Sequence, residues 1–86
     1  MDNQTLIKRL KYRSWHRGCK ETDLILGNFA EEKLETLPPE LLSAYTSLLD
    51  EDDADIWAWL TDKYAPEKPE YLPLIEILKS YGIPSN

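Results

Sequence analysis

The chain has one cysteine, one histidine and three glycines in 86 residues, and each scarcity closes off a class of function. A lone Cys19 cannot form an internal disulfide, which points to a reducing compartment, read here as the cytoplasm. One histidine and one cysteine make no structural zinc set, so no metal site is expected. Three glycines leave no phosphate-cradling loop and no dinucleotide fingerprint, so the free protein is expected to hold no cofactor stably. No apolar run approaches the ~20 residues that would span a bilayer. The N-terminus, MDNQTLIKRL, carries an acid at once and lacks both the apolar stretch of a secretory signal and an Arg/Ser-rich targeting extension. A chain this short buries roughly 60% of its unfolded surface, too little for a deep catalytic cavity, and one domain over 1–86 is expected.

What is present favours helix. Apolar residues make up 42% and charged ones 30%, a globular rather than disordered balance, and Leu, Glu, Lys and Ala are abundant. The net charge of −6 hides two poles. Residues 1–20 carry Lys8, Arg9, Lys11, Arg13, Arg17 and Lys20 against Asp2, for +5, whereas the remainder carries −11. A basic first helix can meet an acidic partner or phosphates, while the acidic body repels a nucleic-acid backbone.

Periodicity predicts five helical segments, over 3–16, 19–34, 39–49, 54–63 and 70–81. Leu6, Ile7 and Leu10 form the inner stripe of the first, with Tyr12 and Trp15 expected to close the core beside it. Leu24, Ile25, Leu26, Phe29 and Ala30 give the second a wide apolar face, as expected of the most central helix of a small bundle, interrupted by Gly27 at a close helix crossing. Pro38-Pro39 ends one helix and starts the next, whose inner residues are Leu41, Leu42, Tyr45, Leu48 and Leu49. Asp52 or Asp53 caps the fourth helix, and the surrounding acids lack the order of a calcium loop. Ile56, Trp59 and Leu60 face inward there, and Trp57 either packs on a neighbour or stays exposed. Leu74, Ile75, Leu78 and Tyr81 line the last helix, which Gly82 and Pro84 would stop.

The corner Arg17-Gly18-Cys19-Lys20-Glu21 is the candidate site. It sets a positive charge, a residue without a side chain and a negative charge at one helix junction, a poor composition for a core and a good one for a contact surface. Gly18 is read as the cap of the second helix and Glu21 as its N3 residue, where a carboxylate meets the dipole, or alternatively as a partner contact. His16 and Cys19 stand three apart, but a glycine-broken corner does not hold them as nucleophile and base, and no catalytic residue is assigned.

Tyr12-Arg13-Ser14, Arg17-Gly18-Cys19-Lys20-Glu21, Asp23-Leu24, Leu26-Gly27 and Phe29, followed by Leu48-Leu49-Asp50, Asp53 and Trp59-Leu60, resemble the SdhE or succinate dehydrogenase assembly factor 2 family. The family often has Met where Cys19 stands. The resemblance implies an all-α five-helix bundle that is not an enzyme. It implies a monomer that binds the flavoprotein subunit of succinate dehydrogenase, and in some bacteria that of fumarate reductase, and promotes covalent FAD attachment there. It places the partner contact at Arg17, Gly18 and Glu21, with Cys19 and Lys20 adjacent. The expected contact runs from the Arg17 guanidinium to acceptors on the partner. Competing readings are a general adaptor, an antitoxin-like protein and a helix-turn-helix. The last is disfavoured because Glu21 and Asp23 sit where base contacts would be made.

Overall fold

The computed structural model describes residues 3–81, which form five α-helices and no strand. Helix α1 runs Asn3–Trp15, α2 Lys20–Lys33, α3 Pro39–Leu48, α4 Asp53–Leu60 and α5 Leu72–Lys79, with single 3₁₀ turns at Leu34–Thr36 and Pro69–Tyr71. Each of the five predicted segments is present, and the all-α expectation holds. Gly82 and Pro84 lie outside the described residues.

Helix α2 is central because one of its faces is buried along most of its length. Its Ile25, Leu26, Phe29 and Ala30 are buried, and they meet Ile7 and Leu10 of α1, Tyr45 and Leu48 of α3, Ile56 and Leu60 of α4, and Leu74 and Leu78 of α5 in one core. Leu24, expected on the inner face, is instead 49% exposed. The buried face runs through Thr22, Ile25, Leu26, Phe29 and Ala30, and Leu24 lies to one side of it, where Thr22 takes the inward position.

Gly27 carries the α1–α2 crossing. An added Cβ there would fall 2.2 Å from Cδ2 of Trp15, so the indole lies flat on the glycine and no side chain fits between. Trp15 is thus partly covered as expected, and its Nε1 donates to Glu31 at 3.2 Å. Tyr12 departs from expectation. It is 65% exposed and stacks on His16 with ring centroids 4.1 Å apart. Ser14 occupies the inward position that an aromatic was expected to fill. It donates to the Leu10 carbonyl at 2.7 Å and meets the Tyr45 hydroxyl at 2.5 Å, which satisfies two buried hydroxyls at the α1–α3 contact.

Helix α4 stops three residues short of the predicted Lys63. Asp62 takes a left-handed φ of 64°. Lys63 N–H donates to the Ala58 carbonyl at 2.8 Å and Asp62 N–H to that of Trp59 at 3.4 Å, the paired reverse bonds of a Schellman ending. Glycine usually marks that ending, and an aspartate hid it.

Two buried tyrosines give the fold a pH limit. Burial pushes the Tyr45 phenol well above its ordinary value, and burial together with the Glu51 carboxylate pushes Tyr71 up to about 12. The fold favours the neutral phenols, whereas the unfolded chain ionises near 10. Stability is therefore fully present below about pH 10 and falls from there toward about pH 12 as the unfolded chain loses protons first. The urea midpoint should drop across that window, and Tyr71→Phe should flatten the drop.

Candidate functional site

The α1–α2 corner is built by neutralising its own polar groups. Gly18 has φ +97°, a conformation that costs an L side chain about 1–2 kcal/mol, so glycine is the residue that turns the chain here. The Arg17 amide donates to Asp23 Oδ1 at 2.9 Å, which closes the corner from the α2 side. Cys19, in extended conformation, is the N-cap of α2, one residue later than the expected Gly18. Its carbonyl accepts from the Asp23 amide at 2.8 Å and from the Thr22 hydroxyl at 3.1 Å. Counting from Cys19, Glu21 is the second helical residue rather than the third, still within the first turn where a carboxylate complements the dipole.

Arg17 is placed differently from a free docking arm. Its side chain is only 10% exposed. Nε donates to Asp53 Oδ1, Nη1 to the Leu49 carbonyl and Nη2 to the Glu51 carbonyl, each at 2.6 Å. Three of its five N–H donors are therefore satisfied by the loop that joins α3 to α4 and by the first residue of α4. Arg13, one turn earlier, reaches the same Leu49 carbonyl at 3.1 Å and Asp50 Oδ1 at 2.7 Å. Two guanidinium groups from the end of α1 thus cap the carbonyl end of α3, where cations are favoured, and absorb the acids of residues 50 and 53. Asp52 is the N-cap of α4 by position but makes no side-chain cap bond.

The basic pole of the sequence is largely neutralised by this arrangement. Lys11 lies 3.8 Å from Glu31 and 3.9 Å from Glu35, and Arg13 and Arg17 are engaged as described. Lys8, Arg9 and Lys20 face solvent. A continuous phosphate-binding stripe is not what these positions form, and the exposed start of α2 presents Glu21.

What the corner offers outward is Gly18, Lys20 and Glu21, with Cys19 half-covered. A Cβ built at Gly18 meets no atom within 4 Å, so the space above it is open. Beside it, Cys19 and Glu21 share a shallow groove of about 240 Å³ with Asp53, Ala54 and Trp57. Trp57, left open by the sequence, both packs on the core and lines that groove. Periodicity could not place α4 beside the corner. The only sequence signal was an indole off the inward face of its own helix.

His16 and Cys19 do not face each other. His16 Nδ1 is bonded to the Tyr12 carbonyl at 2.8 Å, and the Cys19 thiol points to Glu21 Oε1 at 3.6 Å. Each residue of that pair is turned to a different neighbour.

Fold and corner together define a class: a small all-α protein whose two longest helices meet at a rigid, charged, glycine-turned elbow. The family model described as "Flavinator of succinate dehydrogenase" matches residues 8–82, and the chain belongs to that Sdh5 family. Among curated relatives, the protein named "Succinate dehydrogenase assembly factor 2, mitochondrial" of Schizosaccharomyces pombe is 43% identical over 77 residues, covering 88% of this chain and 55% of the relative. The protein of the same name from Schizosaccharomyces japonicus is 46% identical over 77 residues, 88% of this chain and 54% of its own. That of Cryptococcus neoformans is 40% identical over 82 residues, 94% and 47%. The chain spans about half the length of these relatives. No solved structure matches it.

These names correct the cytoplasmic expectation, because the relatives are mitochondrial proteins. The expectation rested on residues 1–10, which show no targeting features, and on a lone cysteine, which argues for reducing surroundings but does not separate one reducing compartment from another.

Proposed function

We propose that this chain binds the flavoprotein subunit of succinate dehydrogenase and promotes covalent attachment of FAD to a histidine of that subunit, acting as a monomeric, non-enzymatic factor without a cofactor of its own. Family membership supports the partner. The observation that carries the reading within the chain is the elbow itself. A glycine with open space above it stands between an internally clamped arginine and an exposed glutamate.

Flavin attachment draws its electrophile from the isoalloxazine ring, so the helper's task is to hold the subunit in a competent geometry. Gly18 lets partner backbone approach closely, and Glu21 and Lys20 supply charge-assisted contacts on either side. Arg17 acts from behind, fixing the elbow against the α3–α4 loop so that little ordering is needed on binding. Trp57 and Ala54 extend the contact as an apolar floor.

Co-expression with the flavoprotein subunit in cells lacking their own factor tests this. Covalent flavin fluorescence on that subunit, seen in a denaturing gel, should depend on the chain. Equal fluorescence with and without it would end the proposal, even if the two proteins co-purify.

A further inference from the structure

We propose a second recognition site, separate from the elbow: an acidic aromatic cleft that takes an arginine side chain from a protein partner. The cleft, about 480 Å³, lies between the α3–α4 loop, α4, the connector after α4 and the 3₁₀ turn at Pro69–Tyr71. Tyr64 lines it with an exposed ring, the largely buried rings of Trp59 and Tyr71 lie beneath, and the carboxylates of Glu51, Asp55 and Glu67 line it as well. Flat π-faces backed by carboxylates are the chemistry that recognises a cation.

Two of the acceptors are held in place before any ligand binds. Tyr71 donates its hydroxyl to Glu51 Oε2 at 2.9 Å, and Tyr64 donates to Asp55 Oδ1 at 2.6 Å, so two of the three carboxylates are pinned by rings of the same cleft. Trp59 and Tyr71 lie with ring centroids 5.6 Å apart at 38°. The chain also shows what the cleft accepts. The ammonium of its own Lys68 sits 5.7 Å from the Tyr71 ring centroid and 3.9 Å from Glu51 Oε2, while the side chain remains 57% exposed. Those are loose contacts. Three lining carboxylates against one lysine leave the cleft two charges negative. A planar guanidinium stacks on rings and bonds a carboxylate in a fork, which an ammonium cannot do, so arginine is the side chain that completes the site. Lys68 is then a resident competitor that must swing out.

Glu51 joins this cleft to the elbow, because its carbonyl accepts from Arg17 while its carboxylate faces Tyr71 and Lys68. The proposal nevertheless stands on its own geometry and does not require the flavin-related reading.

The test is a titration of the full chain with the blocked tripeptide Gly-Arg-Gly, followed by NMR on the Trp59 indole N–H. That group is buried without an acceptor, so its resonance has no bond of its own to mask a new neighbour. Gly-citrulline-Gly, isosteric and uncharged, is the control. The arginine peptide should shift the Trp59 and Tyr71 signals saturably, and the citrulline peptide should bind at least about tenfold more weakly, as loss of a charged hydrogen bond implies. Glu51→Gln should weaken arginine binding similarly. Lys68→Ala should tighten it, a sign that a purely structural Lys68 would not give. Equal binding of the two peptides, no saturable shift in either the parent or Lys68→Ala, or weaker binding by Lys68→Ala would each overturn the proposal. Tighter binding of spermidine than of the arginine peptide would assign the cleft to free amines and overturn it as well.

Discussion

Replacing Arg17 with alanine should destabilise the fold by about 3 kcal/mol, the low end of the range for removing one partner of a buried ion pair. Asp53 is 28% exposed, so water recovers part of its solvation and the upper end is not reached. The loss comes from three places at once. Asp53 loses its cation, and the carbonyls of Leu49 and Glu51 lose donors at the end of α3. In a chain of this size the melting temperature should fall by about 15 °C. Arg17→Lys should recover less than half of that, because an ammonium cannot serve three acceptors in a fixed fork. A parallel Lys20→Ala change, at an exposed cation of the same elbow, should cost within about 0.5 kcal/mol. Should Arg17→Ala melt like the parent while flavinylation disappears, the guanidinium would belong to the partner contact and not to the scaffold.

That expectation reverses the role that sequence assigned to Arg17, and the reason is physical. Its three acceptors lie 32 to 36 residues away, at the end of a helix whose position no local pattern reveals. Local pattern did suffice for the helices. Leu74, Ile75 and Leu78 at helical spacing, and Pro38-Pro39 at a boundary, need only neighbours within one or two turns to be read. It also suffices for Gly27, since a glycine in an apolar face has few purposes other than a close crossing, here with Trp15. It fails where one face must be ranked against another. Tyr12 and Leu24 are exposed while the smaller, more polar Ser14 and Thr22 are buried, an order that apolarity ranks the other way. The groove at Trp57 and the cleft at Tyr71 also escape local pattern, each being assembled from segments far apart in the chain.

Gly18→Arg should separate folding from function most sharply. The backbone at φ +97° makes any L side chain cost about 1–2 kcal/mol, but a Cβ there meets nothing within 4 Å, so no steric clash adds to that strain. The variant should remain helical and melt cooperatively, about 5–10 °C lower. Its affinity for the flavoprotein subunit should fall by about 100-fold, equivalent to roughly 2.7 kcal/mol, because a long cation then stands where partner backbone is to approach. Covalent flavin on the subunit should fall with it. Gly18→Asn divides the two causes. Asparagine is among the L residues least penalised at positive φ, so it should recover part of the lost stability, while its side chain still fills the gap. If Gly18→Asn binds as weakly as the arginine variant, the open space above the elbow is what the partner uses. If it binds like the parent, backbone shape is the requirement and the space is incidental. Full flavinylation by Gly18→Arg would remove the elbow from the contact surface altogether.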